Sequence, residues 1–263
     1  MKDPDYGYEI NGRGFCNADL NSDGFRDREF TPKKDDEFLI TIIGDSLVYG
    51  PGLLIKDRFT NLLQKKLNKI RKTRVFNLGK CGSNLYQNYI RDDEFRKKLN
   101  PDLVIFGISE NDLLIDRNLR DSPYSEHDIL DKKIVYSLRS SDDPLEYSKR
   151  VFATLDKGSM NYLMFLELSS KMPRDKTLYY LLTSCSENLT HHKLIDEFNK
   201  KSFFTIENFS LYSSKYRKYA KSNSCLEISE KERHLDFRAN QMFAERLYQE
   251  IVENSRWRFN KID

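Results

Sequence analysis

Short apolar runs alternate with segments of helical periodicity along the first 110 residues. Each run lacks the polar alternation of a half-exposed strand, so each predicts a strand buried on both faces. The three predicted strands are residues 38–43, 74–78 and 103–108. Between them, apolar residues recur at helical spacing over 59–70, where Asp57 could cap the helix, and a second helix is predicted over 84–99. This order predicts parallel strands joined by crossover helices, and therefore an α/β fold.

The second half of the chain adds further elements of the same kind. Residues 178–182 and 203–206 read as two more strands, and a helix is expected near 190–200. A last helix over 237–253 places apolar residues on one face, with Asp236 as its N-cap. We therefore expect a three-layer α/β/α sandwich around a parallel sheet of about five strands.

Two regions lack this alternation. Residues 1–36 are polar and show no period, which predicts an irregular lead-in packed on a domain that spans 37–255. Residues 112–175 contain helix-like pieces and no clear strand. We interpret them as a helical insertion or cap over the site, with binding of a partner as the alternative.

The composition of the chain argues against some classes of function. Of the 263 residues, 38% are hydrophobic and 32% charged, and the net charge is only +3. This balance argues against a nucleic-acid-binding protein, which usually carries a basic stripe. The start of the sequence has no apolar run, so no signal peptide is predicted, and no segment has the length of a membrane span. A cytoplasmic location is the default expectation.

The four cysteines carry no metal-binding pattern. No pair has the spacing of metal ligands, and four is few for a disulfide scaffold. We expect free or buried thiols at Cys16, Cys81, Cys185 and Cys225.

Polar motifs follow the first three predicted strands. Ser46 comes after the first, Gly82 after the second and Asn111 after the third. The carboxyl ends of parallel strands meet at one edge of an open α/β sheet, where ligands bind. Taken singly, each motif also fits an ordinary turn or helix cap. Together they predict a functional site at that edge.

A base for a serine nucleophile is also present. A serine hydroxyl is weak at its free pKa and needs a base, for which the near-neutral pKa of histidine is suited. His234 lies directly before the last predicted helix. We expect surface roles for the other three histidines, because His127 lies in a polar stretch and the pair His191-His192 resembles an exposed helix start.

The motifs, in this order and spacing, resemble the SGNH, or GDSL-type, hydrolases. GDSL at 44–47, NLGKCG at 77–82, GISEND at 107–112 and ERHLD at 232–236 match the four blocks of that superfamily. NSDGFRD at 21–27 also resembles the segment that precedes the serine block in many bacterial members. The resemblance implies Ser46 as nucleophile and His234 as base. It also implies an oxyanion hole formed by the backbone N–H groups of Ser46 and Gly82 and the side chain of Asn111.

The fourth block departs from the family pattern. The family usually has an Asp two or three residues before the histidine, whereas this chain has Lys231 and Glu232 there. Glutamate can replace aspartate in such triads, so Glu232 is the expected orienting acid. The alternatives are a Ser–His pair alone or an acid from elsewhere.

The resemblance implies a serine esterase or acylhydrolase, including deacetylases, that needs no metal or organic cofactor. Its substrate would be a small-molecule, lipid or acylated-carbohydrate ester. The same residues would serve a carbohydrate O-acyltransferase. An inactive ligand-binding protein on this fold is the alternative from another class, and the unusual acid position is its only support.

Overall fold

The structure is a computed structural model that describes most of the chain outside two long stretches. The described residues are 20–83, 85–109, 172–182, 206–207, 227–229 and 232–260. Side chains are not described at 86, 181, 206–207, 227–229 and 232–233. The predicted insertion over 112–175 lies outside the described residues up to 171, and so does the helix expected near 190–200.

Five parallel strands form the central sheet, in the order β2-β1-β3-β4-β5. They are β1 (Phe38–Gly44), β2 (Thr73–Gly79), β3 (Leu103–Ser109), β4 (Thr177–Leu182) and β5 (Ile206–Glu207). The first three are buried along almost their whole length, because layers cover both faces of the sheet. The predicted parallel sheet of about five strands is confirmed.

Four helices are described: α1 (Ser46–Tyr49), α2 (Phe59–Leu67), α3 (Leu85–Leu99) and α4 (Phe237–Glu253). Helices α2 and α4 contact each other and share one apolar core with one face of the sheet. Helix α3 contacts β1 and β3, and its buried Tyr89 packs on Phe106 on the other face of the sheet. The predicted three-layer sandwich is therefore confirmed.

The start of α2 differs from the prediction. Asp57 does not cap it, because Asp57 belongs to a 3-10 turn, Ile55–Asp57, directly before the helix. The backbone N–H of Phe59 instead donates to the side-chain oxygen of Asn240 in α4, at 2.9 Å. The free N–H at the helix start is therefore satisfied by a residue that is distant in the sequence.

The described part of the lead-in packs on the α3 side. Phe25 and Phe30 are buried, and their rings contact those of Phe76 in β2 and Phe95 in α3. No helix or strand is assigned over 20–36. These two aromatic side chains attach the segment to the sheet.

A buried charged cluster joins the lead-in to the loop after α1. Arg26 donates to the carbonyl oxygens of Gly50 (2.8 Å) and Leu53 (2.5 Å). Arg58 donates to the carbonyl oxygen of Arg26 at 2.6 Å and lies 3.7 Å from the carboxylate of Asp27. Buried charges are tolerated where they are paired and hydrogen-bonded in this way.

An antiparallel hairpin precedes the last helix. Strands β6 (Glu227–Ser229) and β7 (Glu232–Leu235) pair with each other, and the sequence pattern did not predict them. Helix α4 then begins with the predicted cap, since the carboxylate of Asp236 accepts from the N–H of Ala239 at 2.9 Å. None of the described helices has the length and apolar character needed to cross a membrane.

Candidate active site

Helix α1 lies on a row of three glycines. Gly79, Gly44 and Gly107 are in register at the carboxyl ends of β2, β1 and β3. A Cβ at Gly79 would lie 2.3 Å from the backbone nitrogen of Tyr49, and a Cβ at Gly44 would lie 2.4 Å from a methyl group of Val48. Only residues without a side chain allow α1 this close to the sheet edge.

Asn77 fixes the end of that helix. Its side-chain amide, buried beneath α1, donates to the carbonyl oxygen of Val48 at 2.7 Å, and its side-chain oxygen accepts from the N–H of Gly79 at 2.9 Å. Its own backbone N–H donates to Asp27 at 2.7 Å. The second motif, NLGKCG, thus contributes a buried support for α1 as well as the turn that follows β2.

Ser46 is the first residue of α1, directly after the buried Asp45. One oxygen of the Asp45 carboxylate accepts from the N–H of Leu47 at 2.9 Å, and the other accepts from the hydroxyl of Ser109 at 2.8 Å. Ser46 itself is half-buried. Asp45 therefore ties the serine loop to the end of β3, two residues before Asn111.

Gly82 lies in a tight turn after β2. The N–H of Ser83 donates to the carbonyl oxygen of Lys80 at 3.2 Å, and Gly82 has a φ of 74°. A positive φ at the third position of such a turn favours glycine. Gly82 is exposed, and apart from Gly82 and its two chain neighbours no described residue has an atom within 4 Å of where its Cβ would be. A ligand could approach its backbone.

The carbonyl oxygen of Gly44 connects this turn to β1. It accepts from the N–H of Lys80 at 3.0 Å and lies 3.1 Å from the hydroxyl of Ser83. Arg91 of α3 donates to the same oxygen at 3.3 Å. The end of β1 and the turn around Gly82 are thereby held together two residues before Ser46.

His234 lies in β7 and is half-buried. Cα atoms of β7 lie within 8 Å of Cα atoms of α1, so the hairpin reaches the helix that Ser46 begins. Glu232 begins the same strand, but its side chain lies outside the described residues, and so does Asn111. The roles expected for Ser46, His234, Glu232, Gly82 and Asn111 remain predictions.

The expectation of free thiols is wrong for Cys81, which is disulfide-bonded. Cys81 precedes Gly82 in the turn, and it is the only cysteine within the described residues. The count and spacing of cysteines gave no sign of this bond, because pairing depends on which distant segments meet in the fold. A covalent link thus restrains the backbone directly beside Gly82.

Ionisable side chains are also buried between α3 and the sheet. The hydroxyls of Tyr89 and Tyr179 lie 2.9 Å apart, and burial raises the pKa of each above its ordinary value of 10.0. Burial likewise raises the pKa of Asp92, although Arg96 opposes the shift with an ion pair at 2.9 Å. Over the described ranges, no group of three or more His, Cys, Asp or Glu side chains could hold a metal ion.

Several supporting residues were missed from the sequence, namely Asp45, Asn77, Ser83, Asn88, Arg91 and Ser109. One signal was available for two of them. Asn88 and Arg91 are three residues apart in α3, where polar residues interrupt the stripe that faces the sheet. Buried polar residues on a helix face usually have bonding partners there.

Solved structures similar to this chain include lipolytic proteins and esterases. The match to a lipolytic protein of the G-D-S-L family from Veillonella parvula has 12% identity, covers 83% of this chain and 100% of that chain, and has a TM-score of 0.47. A lipase/acylhydrolase from Enterococcus faecalis matches at 14% identity, over 82% of this chain and 96% of that chain, with a TM-score of 0.46. The esterase EstA from a Pseudoalteromonas species matches at 13% identity, over 82% and 97%, with a TM-score of 0.45. No family model and no curated protein matches the chain.

Proposed function

We propose that this chain hydrolyses carboxylic esters through an acyl-enzyme on Ser46, with His234 as general base. The observation that carries the proposal is the contact between α1 and β7, since Ser46 begins the first and His234 lies in the second. A nucleophile and a base on two adjoining elements are the minimum that serine catalysis requires.

The surroundings of Ser46 support the same proposal. The exposed turn at Gly82 and the end of β3 before Asn111 adjoin the serine loop through the carbonyl oxygen of Gly44 and the carboxylate of Asp45. Backbone N–H groups at this edge, with the amide expected from Asn111 beyond β3, would stabilise the oxyanion of acyl transfer. An ordinary turn or cap would not need these contacts between distant motifs.

In the proposed reaction, His234 takes the hydroxyl proton as the oxygen of Ser46 attacks the ester carbonyl. The N–H groups of Ser46 and Gly82 and the amide of Asn111 hold the resulting oxyanion, while Glu232 orients the imidazole. The tetrahedral intermediate collapses, and His234 gives the proton to the leaving alcohol. Water then attacks the acyl-enzyme with His234 again as base, which releases the acid and restores Ser46.

The experiment is a panel of p-nitrophenyl esters of increasing acyl length, assayed with the wild type and with Ser46→Ala. We expect turnover by the wild type and a loss of about 10³-fold or more in the variant, because the residual rate would come from binding and the oxyanion donors alone. Ser255→Ala, at an exposed serine after α4, is the matched control and should keep full activity. Equal turnover by the wild type and Ser46→Ala would refute the proposal.

A further inference from the structure

Arg91 is a buried cation at the carboxyl end of the sheet, and the proposed reaction gives it no role. Only 8% of the residue is exposed. One of its terminal nitrogens donates to the carbonyl oxygens of Leu78 (3.0 Å) and Gly44 (3.3 Å) and to the side-chain oxygen of Asn88 (3.0 Å). Arg91 thus contacts the ends of both β2 and β1 from α3.

Both strand ends lead into the expected oxyanion donors. Gly44 precedes Ser46 by two residues, and Leu78 precedes Gly82 by four. The turn between them is held by the same residues, since the hydroxyl of Ser83 lies 3.1 Å from the side-chain oxygen of Asn88 and 3.1 Å from the carbonyl oxygen of Gly44. The backbone segments before Ser46 and around Gly82 therefore share one anchor.

We propose that Arg91 is a positioning residue that holds the two backbone donors of the oxyanion hole, Ser46 and Gly82, at a fixed spacing. The inference rests on the proposed function. An arginine suits the task because its planar guanidinium presents several donors in a fixed geometry and stays charged when buried. A lysine keeps the charge but lacks that geometry. An apolar residue would leave the carbonyl oxygens without these bonds.

A purely structural role for Arg91 predicts a different result from a positioning role. Loss of strand-end hydrogen bonds alone would lower stability and leave the turnover of folded enzyme unchanged. Displaced oxyanion donors would instead lower kcat with little change in KM, because the oxyanion exists only in the transition state. A boronic acid that forms a tetrahedral anion on Ser46 would lose affinity in parallel.

The experiment compares Arg91→Met and Arg91→Lys with Arg96→Met. Arg96 lies on the same helix but pairs with Asp92, so its loss is a matched control for a broken, partly buried contact. We measure the melting temperature, kcat and KM for the best p-nitrophenyl ester, and the inhibition constant of phenylboronic acid.

We expect Arg91→Met to lower kcat about 10- to 100-fold, since misplacement by about 1 Å can cost about that much, with KM within about twofold. The affinity for phenylboronic acid should fall by a similar factor. Arg91→Lys should fall between the wild type and Arg91→Met, and it carries the test if Arg91→Met does not fold. Arg96→Met should lose stability and keep its kcat.

The results separate the two proposals. If Arg91→Met, or Arg91→Lys in its place, matches the wild type in kcat and boronic acid affinity, the inference is overturned while the proposed function stands. If the wild type neither hydrolyses the esters nor binds the boronic acid, the proposed function fails, and the inference fails with it.

Discussion

A Cβ added at Gly79 should disrupt the packing of α1 on the glycine row more than a Cβ added at Gly107. The new carbon at Gly79 would lie 2.3 Å from the backbone nitrogen of Tyr49 and 2.7 Å from the carbonyl carbon of Val48. Because these are backbone atoms, no side-chain rotation relieves the contact, so α1 or the end of β2 must move. Overpacking typically costs about 1–3 kcal/mol, and a backbone clash belongs at the upper end, so we expect Gly79→Ala to cost about 3 kcal/mol.

Gly107→Ala is the matched comparison on the neighbouring strand. Its Cβ would meet a methyl group of Val48 at 2.5 Å and one of Leu182 at 2.8 Å, and both are side-chain atoms rather than backbone atoms. We expect a cost of about 1–2 kcal/mol. Val48→Ala removes one of these methyl groups, so Gly107→Ala combined with Val48→Ala should cost less than the sum of the two changes. Gly79→Ala combined with Val48→Ala should be close to additive.

Urea unfolding measures these losses in the free energy of unfolding, provided that the m value is the same for each variant and the wild type. Turnover should fall together with stability, because a shifted α1 misplaces Ser46. We expect the kcat of Gly79→Ala to fall about 100-fold. A Gly79→Ala protein with wild-type stability and turnover would refute the packing of α1 on the glycine row. The packing would also be refuted if Val48→Ala reduced the stability loss that Gly79→Ala causes.

Three further changes test other parts of the site. Asp45→Ala removes the cap of α1 and the hydrogen bond that the Ser109 hydroxyl donates to Asp45, so urea unfolding should show a loss of about 2–4 kcal/mol in the free energy of unfolding. A loss below about 1 kcal/mol would contradict these two roles of the carboxylate. Reduction of the disulfide at Cys81 should lower the melting temperature and the esterase rate, since losing a native disulfide typically costs about 2–5 kcal/mol. Non-reducing peptide mapping identifies the partner cysteine, and a free Cys81 thiol in the isolated protein would contradict the assignment. Burial raises the pKa of Asp92, so its stabilising contribution is present below the ordinary carboxyl value of 3.8 and is lost as pH rises through the raised pKa. Urea unfolding from about pH 4 to pH 7 should therefore favour Asp92→Asn over the wild type increasingly as pH rises, and parallel stability curves would contradict the shift.

The sheet and its helices could be predicted from the sequence because their patterns are local. Short, mostly apolar runs such as 38–43 can be recognised as buried strands from their own residues alone. The last helix was predicted over its whole length, since Asp236 caps it within its own first turn. Ser46 and Gly82 could be placed after strands for the same reason.

The bonding partners of the supporting residues could not be predicted, because those partners are far away in the sequence. The bond from Asp45 to Ser109 spans 64 positions, and the contact of Arg91 with Gly44 spans 47. The prediction that Asp57 caps α2 failed for the same reason, since the backbone N–H of Phe59 donates to the distant Asn240. The hairpin of β6 and β7 was missed because strands of three and four residues are too short to show a clear alternation.

The central claim is that His234 activates Ser46, and covalent labelling tests it most directly. The wild type, Ser46→Ala and His234→Ala are each treated with a fluorophosphonate, and the adduct is located by peptide mass spectrometry. We expect one adduct on Ser46 in the wild type, none in Ser46→Ala, and labelling slowed by about 100-fold or more in His234→Ala, because the hydroxyl then lacks its base. A wild type that stays unlabelled, or a His234→Ala protein labelled at the wild-type rate, would contradict the account.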